Sequence, residues 1–277
     1  MPELPEVETI RRQLAPRVSG RSIETVRVRH PRAVRAHGLP EDFARLLRGR
    51  AIQDVLRRGK ALLFPLDDDR SLLVRLGMSG RLRVVDPTTP LDSHTHAILG
   101  LSDGAELRFI DPRTFGQLAV VEGRHPDHMA AFAHYGVEPL DDAFTPAALR
   151  DALAGRKALV QAALMDQSKI AGIGKIYADE ACFLAGIHPE RQARTLTEPE
   201  IGRLHAAIRE VLARAIDARG TSNKDAAYRD ATGQAGEFQH QLHVYQQAGR
   251  PCRVCGTPIE FRPFQGRRMH FCPRCQR

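Results

Sequence analysis

Residues 252–275 read CRVCGTPIEFRPFQGRRMHFCPRC. Two Cys-x2-Cys pairs, Cys252 with Cys255 and Cys272 with Cys275, stand sixteen residues apart. Two thiolate knuckles at this spacing close on one tetrahedral Zn²⁺. Gly256 and Pro273 sit where the knuckle turns need them. Four sulfurs fill the coordination sphere, so the expected metal is structural, one ion per chain. A segment this short has little core of its own, and the metal must hold it. What it then presents is charge: from Arg250 to Arg277 there are seven arginines and one acid, Glu260. Such a surface suits phosphate.

Outward from this segment the rest of the chain agrees. The fifth cysteine, Cys182, stands alone. An odd count argues against a disulfide framework, and a buried core thiol is the expected role. The 277 residues are 42% hydrophobic, enough for a globular core, and 41 Lys and Arg against 33 Asp and Glu give +8. That balance suits a polyanionic partner. No apolar run is long enough to cross a membrane. The start, MPELPEVETI, lacks the apolar region of a secretory signal, so a cytoplasmic location is expected.

Periodicity gives the organisation. Leu4, Val7, Ile10 and Leu14 fall near one helical face, and Pro16 and Gly20 are expected to end that helix. From about 22 to 122 the pattern changes to short strands: Val26 and Val28, Leu72 to Leu76, Leu82 and Val84, Ala97 to Leu101, Leu107 to Ile110, Leu118 to Val121. Turn residues separate them, so a β-sandwich or barrel is expected. A helical half follows, with helices opening at Thr145-Pro146, over 157–166, from Gly174 to Ala185, and after the capping box Thr197 to Glu200. Residues 220–237 are polar and Gly-rich, a long loop of the kind that is functional or disordered.

Several motifs then carry a resemblance. Pro2-Glu3-Leu4-Pro5-Glu6-Val7-Glu8-Thr9, Arg57-Arg58-Gly59-Lys60, Leu76-Gly77-Met78-Ser79-Gly80, Asp111 to Gly116, Ile170 to Gly174 with Ile176 to Glu180, and the four cysteines occur in one order. Together they resemble the formamidopyrimidine-DNA glycosylases along the whole chain. The resemblance implies an α+β multidomain fold: an N-terminal helix and β-sandwich (1–130), a helix–two-turn–helix domain (140–220), a lesion-contacting loop (221–242) and a zinc β-hairpin (243–277). It also implies a monomer acting on damaged double-stranded DNA at the nucleoid.

The implied chemistry fits the residue types. Loss of Met1 would free the amine of Pro2. A secondary amine attacks the sugar C1′, expels the base and leaves an iminium ion. That cation makes the 2′ proton acidic and lets the 3′ phosphate depart, and a second elimination releases the 5′ phosphate. An α-amino group titrates near 8, closer to neutral pH than a lysine, and a helix start disfavours its cation. The resemblance assigns proton transfer to Glu3, assistance of β-elimination to Lys60 and the δ step to Arg267; Glu6, one turn on, is expected either to position the amine or to buffer protons. By their position alone, Glu3 and Glu6 would equally complement a helix N-terminus.

A base inside a duplex must be turned out of the stack, as the glycosylases do, and the hole filled. Met78, Arg113 and Phe115 match the family's void-filling residues; ordinary core packing is the alternative for Met78 and Phe115. His94, Gly172, Lys175, Lys224, Tyr245 and Arg268 match DNA-contacting positions. The chain departs from the family at Lys175, where asparagine is usual, and at Gln161, Thr114 and Gln246. Ala226 replaces an aromatic, and the loop to Phe238 is slightly longer. These departures leave open an endonuclease VIII-like enzyme for oxidised pyrimidines, against which Leu4 speaks, and a damage-binding protein without excision.

Overall fold

Alternation along short strands and one helix with nearly all-round burial build the first half of the molecule. The computed structural model describes residues 2–222, 228–264 and 266–277, and of Arg267 only the backbone. Met1, Lys224 and Ala226 therefore lie outside the described residues, as does the Arg267 side chain. The chain forms two compact units, 1–133 with 218–237, and 134–217 with 238–277.

The first unit opens with α1 (Leu4–Val18), followed by β1 (Ile23–Val28), α2 (Pro40–Leu47), β2 (Leu56–Arg58), β3 (Ala61–Pro65), β4 (Arg70–Arg75), β5 (Arg81–Val85), β6 (Thr95–Leu101), β7 (Glu106–Ile110) and β8 (Gln117–Glu122). The strands make two four-stranded sheets, β1-β6-β7-β5 and β2-β3-β4-β8, antiparallel throughout. Alternate residues such as Leu62 and Phe64, Leu72 and Val74, Leu82 and Val84 enter one core with Val7, Ile10, Leu14 and Val18 of α1. The sandwich expected from the sequence is present.

Three elements escaped the sequence pattern. Strand β3 is buried at every position, so no polar residue marks its period. Strand β2 is only three residues long. Helix α2 buries only Phe43 and Leu47. Pro16, expected to stop α1, lies inside its last turn. The helix runs to Val18, where Ser19 N–H reaches the Ala15 carbonyl at 3.1 Å. Gly20, at φ 78°, then turns the chain. Residues 228–237 return to this unit and dock on α1. The Asp230 carboxylate accepts from Gln13 Nε2 at 2.9 Å, and Gln13 Oε1 accepts from Ala231 N–H at 2.9 Å.

The second unit holds α3 (Pro146–Leu153), α4 (Val160–Leu164), α5 (Lys175–Ala185), α6 (Glu198–Asp217) and the hairpin β9 (Glu260–Phe264) and β10 (Arg267–Phe271). Thr145 caps α3 by accepting the Ala148 N–H at 3.1 Å. The helix expected over 157–166 is shorter at both ends, since Leu159 is extended and Met165 ends the turn. Gly186, at φ 71°, ends α5 in the left-handed turn that favours glycine. Cys182 is fully buried and burial pushes its thiol pKa up, as a core role requires. Among the described residues no helix is long and apolar enough to cross a membrane.

Candidate active site and nucleic-acid contacts

A helix start leaves its first N–H groups without intrahelical partners. At the start of α1 a buried carboxylate uses this. Glu6 is 1% exposed. Its Oε2 accepts the Glu3 N–H at 2.8 Å, and its Oε1 accepts the Thr221 N–H at 2.7 Å. The first bond orients the Pro2–Glu3 peptide. The second ties it to the segment 218–222. Gly220 makes this approach possible. It sits at φ 80°, and a Cβ there would lie 2.7 Å from Glu6 Oε1. The Tyr228 hydroxyl donates to the Arg219 carbonyl at 3.1 Å and reaches the Glu6 carbonyl at 3.4 Å. Pro2 and Glu3 are both buried. Tyr228 is the aromatic of this loop, two residues beyond Ala226, and its ring joins the sandwich core.

Two residues further along α1, Glu8 gathers three arginines. Arg11 and Arg12 bond it at 2.9 and 2.8 Å, and Arg57 of β2 at 3.2 Å. Burial would raise its carboxyl, but hydrogen bonds from Arg11 and Arg12 and the charge of Arg57 hold it below the usual range. Arg57 also donates to the Gly59 carbonyl at 3.0 Å. Gly59, at φ 55°, and Lys60 form the tight turn between β2 and β3. Glu8 thus anchors to α1 the hairpin that carries Lys60.

The void-filling candidates come together in this unit. Met78 is 42% and Phe115 47% exposed, so both stand out from the core. Asp111 organises the loop between them. Its carboxylate accepts the Ser79 hydroxyl, the Gly116 N–H at 2.7 Å and the Arg113 N–H at 3.3 Å. Gly77 lies so close that a Cβ would come within 2.7 Å of Gly116 N. Arg35 donates to the Gly116 and Phe115 carbonyls at 2.7 and 3.2 Å. The Arg113 guanidinium lies 5.3 Å over the Phe115 ring. Thr114 holds a positive φ of 56°. His94 has its ring at the surface near Asp92, while its carbonyl accepts the Asp111 N–H at 3.0 Å.

The other positions lie in the second unit. Gly172 turns at φ 87°, and its N–H goes to Gln167 Oε1 at 2.9 Å. Its contribution is therefore the turn. Lys175 opens α5 and pairs with Asp179 at 2.8 Å, while its ammonium sits 5.2 Å over the Tyr245 ring. Glu180, 1% exposed, accepts the N–H groups of His243, Val244 and Tyr245 at 2.8, 2.9 and 2.8 Å. Arg268 is exposed and stacks 4.6 Å over Phe261. Nothing in the sequence pattern singled out Glu8, Asp111, Glu180 or Tyr228 as anchors. Each has a partner far away along the chain, beyond the reach of local spacing: Arg57 for Glu8, Ser79 for Asp111, Val244 for Glu180 and the Glu6 carbonyl for Tyr228.

Cys252, Cys255, Cys272 and Cys275 bring all four sulfurs within 4.8 Å of one another. Two of the separations are 3.9 and 3.5 Å. A tetrahedron with Zn–S bonds of about 2.3 Å has edges of about 3.8 Å, so the set fits one zinc ion. The Val254 and Cys275 N–H groups each point to a knuckle sulfur at 3.4 Å. Hydrogen bonds from the hydroxyl and N–H of Thr257 draw the Cys255 thiol down, while burial pushes Cys272 and Cys275 up.

The comparisons with known proteins agree with this arrangement. The family model of the formamidopyrimidine-DNA glycosylase N-terminal domain matches residues 1–118, and that of the family's H2TH domain matches residues 135–226. A formamidopyrimidine-DNA glycosylase of Symbiobacterium thermophilum is 48% identical over 280 residues, covering 100% of this chain and 89% of that protein. The crystal structure of the MutM (Fpg) protein from Thermus thermophilus superposes with a TM-score of 0.87 at 42% identity, covering 99% of this chain and 98% of the other. The Lactococcus lactis Fpg in complex with abasic-site DNA gives 0.90 at 35% identity and 99% coverage of each chain.

Proposed function

Since this chain belongs to the formamidopyrimidine-DNA glycosylase family, we propose that its excision and strand cutting run through the amine of Pro2. The protein is a base-excision repair DNA glycosylase for oxidised purines, with the family's abasic-site lyase activity. Once Met1 is removed, the Pro2 nitrogen attacks C1′, and the bond to the damaged base breaks. The sugar ring opens to an iminium ion. Loss of the 2′ proton expels the 3′ phosphate, and a second elimination expels the 5′ phosphate.

The observation that carries this reading is the clamp on the Pro2–Glu3 peptide. Glu6 holds its N–H at 2.8 Å and is itself held by Thr221. A nucleophile fixed in this way loses little freedom on reaching the transition state. Glu3 follows as proton donor and acceptor, Lys60 as phosphate contact in the first elimination, and Arg267 as the group serving the second. Met78, Arg113 and Phe115 fill the vacated stack, and His94, Lys224, Tyr245 and Arg268 contact the strand. Residues 1–130 carry the chemistry, 140–220 the helix–two-turn–helix, 221–242 the lesion loop and 243–277 the zinc hairpin. The enzyme works as a monomer in the cytoplasm, at the nucleoid.

Borohydride added during incubation with abasic-site duplex tests this. A stable protein–DNA adduct is expected. Protein with a sequenced Pro2 N-terminus that forms none removes the lyase reading and leaves a damage binder. A panel of 8-oxoguanine, formamidopyrimidine and oxidised-pyrimidine duplexes in one buffer should rank the purines first.

A further inference from the structure

Lys175 looks in the sequence like a free cation at a helix start, ready for a phosphate. Its surroundings say otherwise. The Asp179 carboxylate is fully buried and accepts four donors: Gln161 Nε2, Lys175 Nζ at 2.8 Å, His270 N–H at 3.2 Å and His270 Nδ1 at 3.0 Å. Of these, Lys175 carries a permanent positive charge and is itself only 16% exposed, while His270 Nδ1 pairs with the same oxygen at 3.0 Å and adds charge only when protonated. The ammonium is covered on another side by the Tyr245 ring, whose edge meets His270 at 5.5 Å. If Lys175 turned to a phosphate, it would strip a fully buried carboxylate of its permanent counter-charge, which is strongly unfavourable.

The far end of this network lies in strand β10. Asp179 holds both the backbone N–H and the ring of His270, and the same strand carries Arg267 and Arg268. We propose that Lys175 is a positioning residue: through Asp179 it sets β10, and with it the arginine that serves the second elimination, and it makes no phosphate contact. This rests on the role proposed above for Arg267. Gln161 belongs to the same device, since it supplies the amide donor to the other oxygen of Asp179. The two departures from the family at 161 and 175 are thus one feature.

Three proteins test it: Lys175→Met, the double variant Lys175→Met/Asp179→Asn, and Arg267→Ala as the reference for a lost second cut. Salt titration of affinity for a duplex with a tetrahydrofuran abasic analogue reads phosphate contacts. Removing one such contact lowers the slope of log affinity against log salt by about 1. The slope is expected to stay at the wild-type value in both Lys175 variants. On abasic-site duplex, Lys175→Met should cut the second elimination relative to the first by about tenfold to a hundredfold, as misplacement does. The double variant, which leaves no buried charge unmatched, should recover most of it. A slope lower by one, or an unchanged ratio of the two cuts, overturns the proposal. If Lys175→Met fails to fold, the double variant still decides by its slope. Absence of a borohydride adduct with the wild-type protein would instead sink the Pro2 reading.

Discussion

Each unit of this molecule holds a buried carboxylate, and the two differ in the bonds that tie them to distant segments. Glu6 in the first unit accepts two backbone N–H groups, from Glu3 and Thr221. Asp179 in the second pairs with an ammonium and takes an amide and a histidine besides. Backbone N–H groups on either side of Glu6, from Glu3 and from Thr221, fix its carboxylate in place. In the second unit an ion pair and the His270 bonds fix a strand. Glu6 orients the Pro2–Glu3 peptide, and Asp179 attaches strand β10 through His270.

The supports differ as well. The first unit rests on a large apolar core joining both sheets and α1. Around the zinc knuckles a small cluster, Phe183, Val244 and Ile259, packs against Cys252 and Cys272. The largest expected effect follows from this. Cys272→Ser, or zinc removal by chelator, forfeits metal binding of about 10 kcal/mol. Hydrogen exchange should show β9 and β10 losing protection while α1 keeps its own. Persistent protection of the hairpin would mean that the apolar residues hold it without metal.

A smaller effect probes the Glu6 end. Gly220→Ala places a Cβ 2.7 Å from Glu6 Oε1 at φ 80°. The strain costs about 1–3 kcal/mol, and a displaced Glu6 should slow borohydride trapping by up to about a hundredfold. Gly20→Ala is the control, because Gly20 has φ 78° with nothing near its missing Cβ. It should lower the melting temperature and leave trapping unchanged. Equal trapping rates in the two variants would break the link between Glu6 and the amine.

The sequence revealed the parts of this contrast unequally. The zinc knuckles, the capped α6 and most strands are local patterns, and the residues carrying them stand a few positions apart. The Glu6 clamp needs Thr221, 215 residues away, and the Glu8 anchor needs Arg57, 49 residues away. No spacing rule spans such gaps. Strand β3 was hidden because burial on both faces erases alternation. The Lys175–Asp179 pair was open to reading, since it lies at i,i+4 on a helix. In this order, cation before acid, the pairing is the weaker one on an exposed helix. Burial by Tyr245 and His270 makes it strong.

The smallest effect sets a surface-type carboxylate against the two buried ones. Arg191, then the N–H and hydroxyl of Thr197, draw the Glu200 pKa down from 4.5 to about 2. A lowered carboxyl stabilises the fold fully above its unfolded pKa and loses that contribution as pH falls through the folded value. The window is therefore from about 4.5 down to about 2. Glu200→Gln should flatten thermal stability against pH across that window and leave it unchanged in shape above it. An identical acid limb in both proteins would show that solvent screens the pair fully.

The central claim concerns which nitrogen bonds to the sugar. The reduced adduct with abasic-site DNA can be digested by protease and nuclease and the modified residue located by mass spectrometry. The sugar remnant is predicted on the imino nitrogen of Pro2, in the peptide that continues Glu3-Leu4-Pro5. A remnant on Lys60, or on any other lysine, would contradict it.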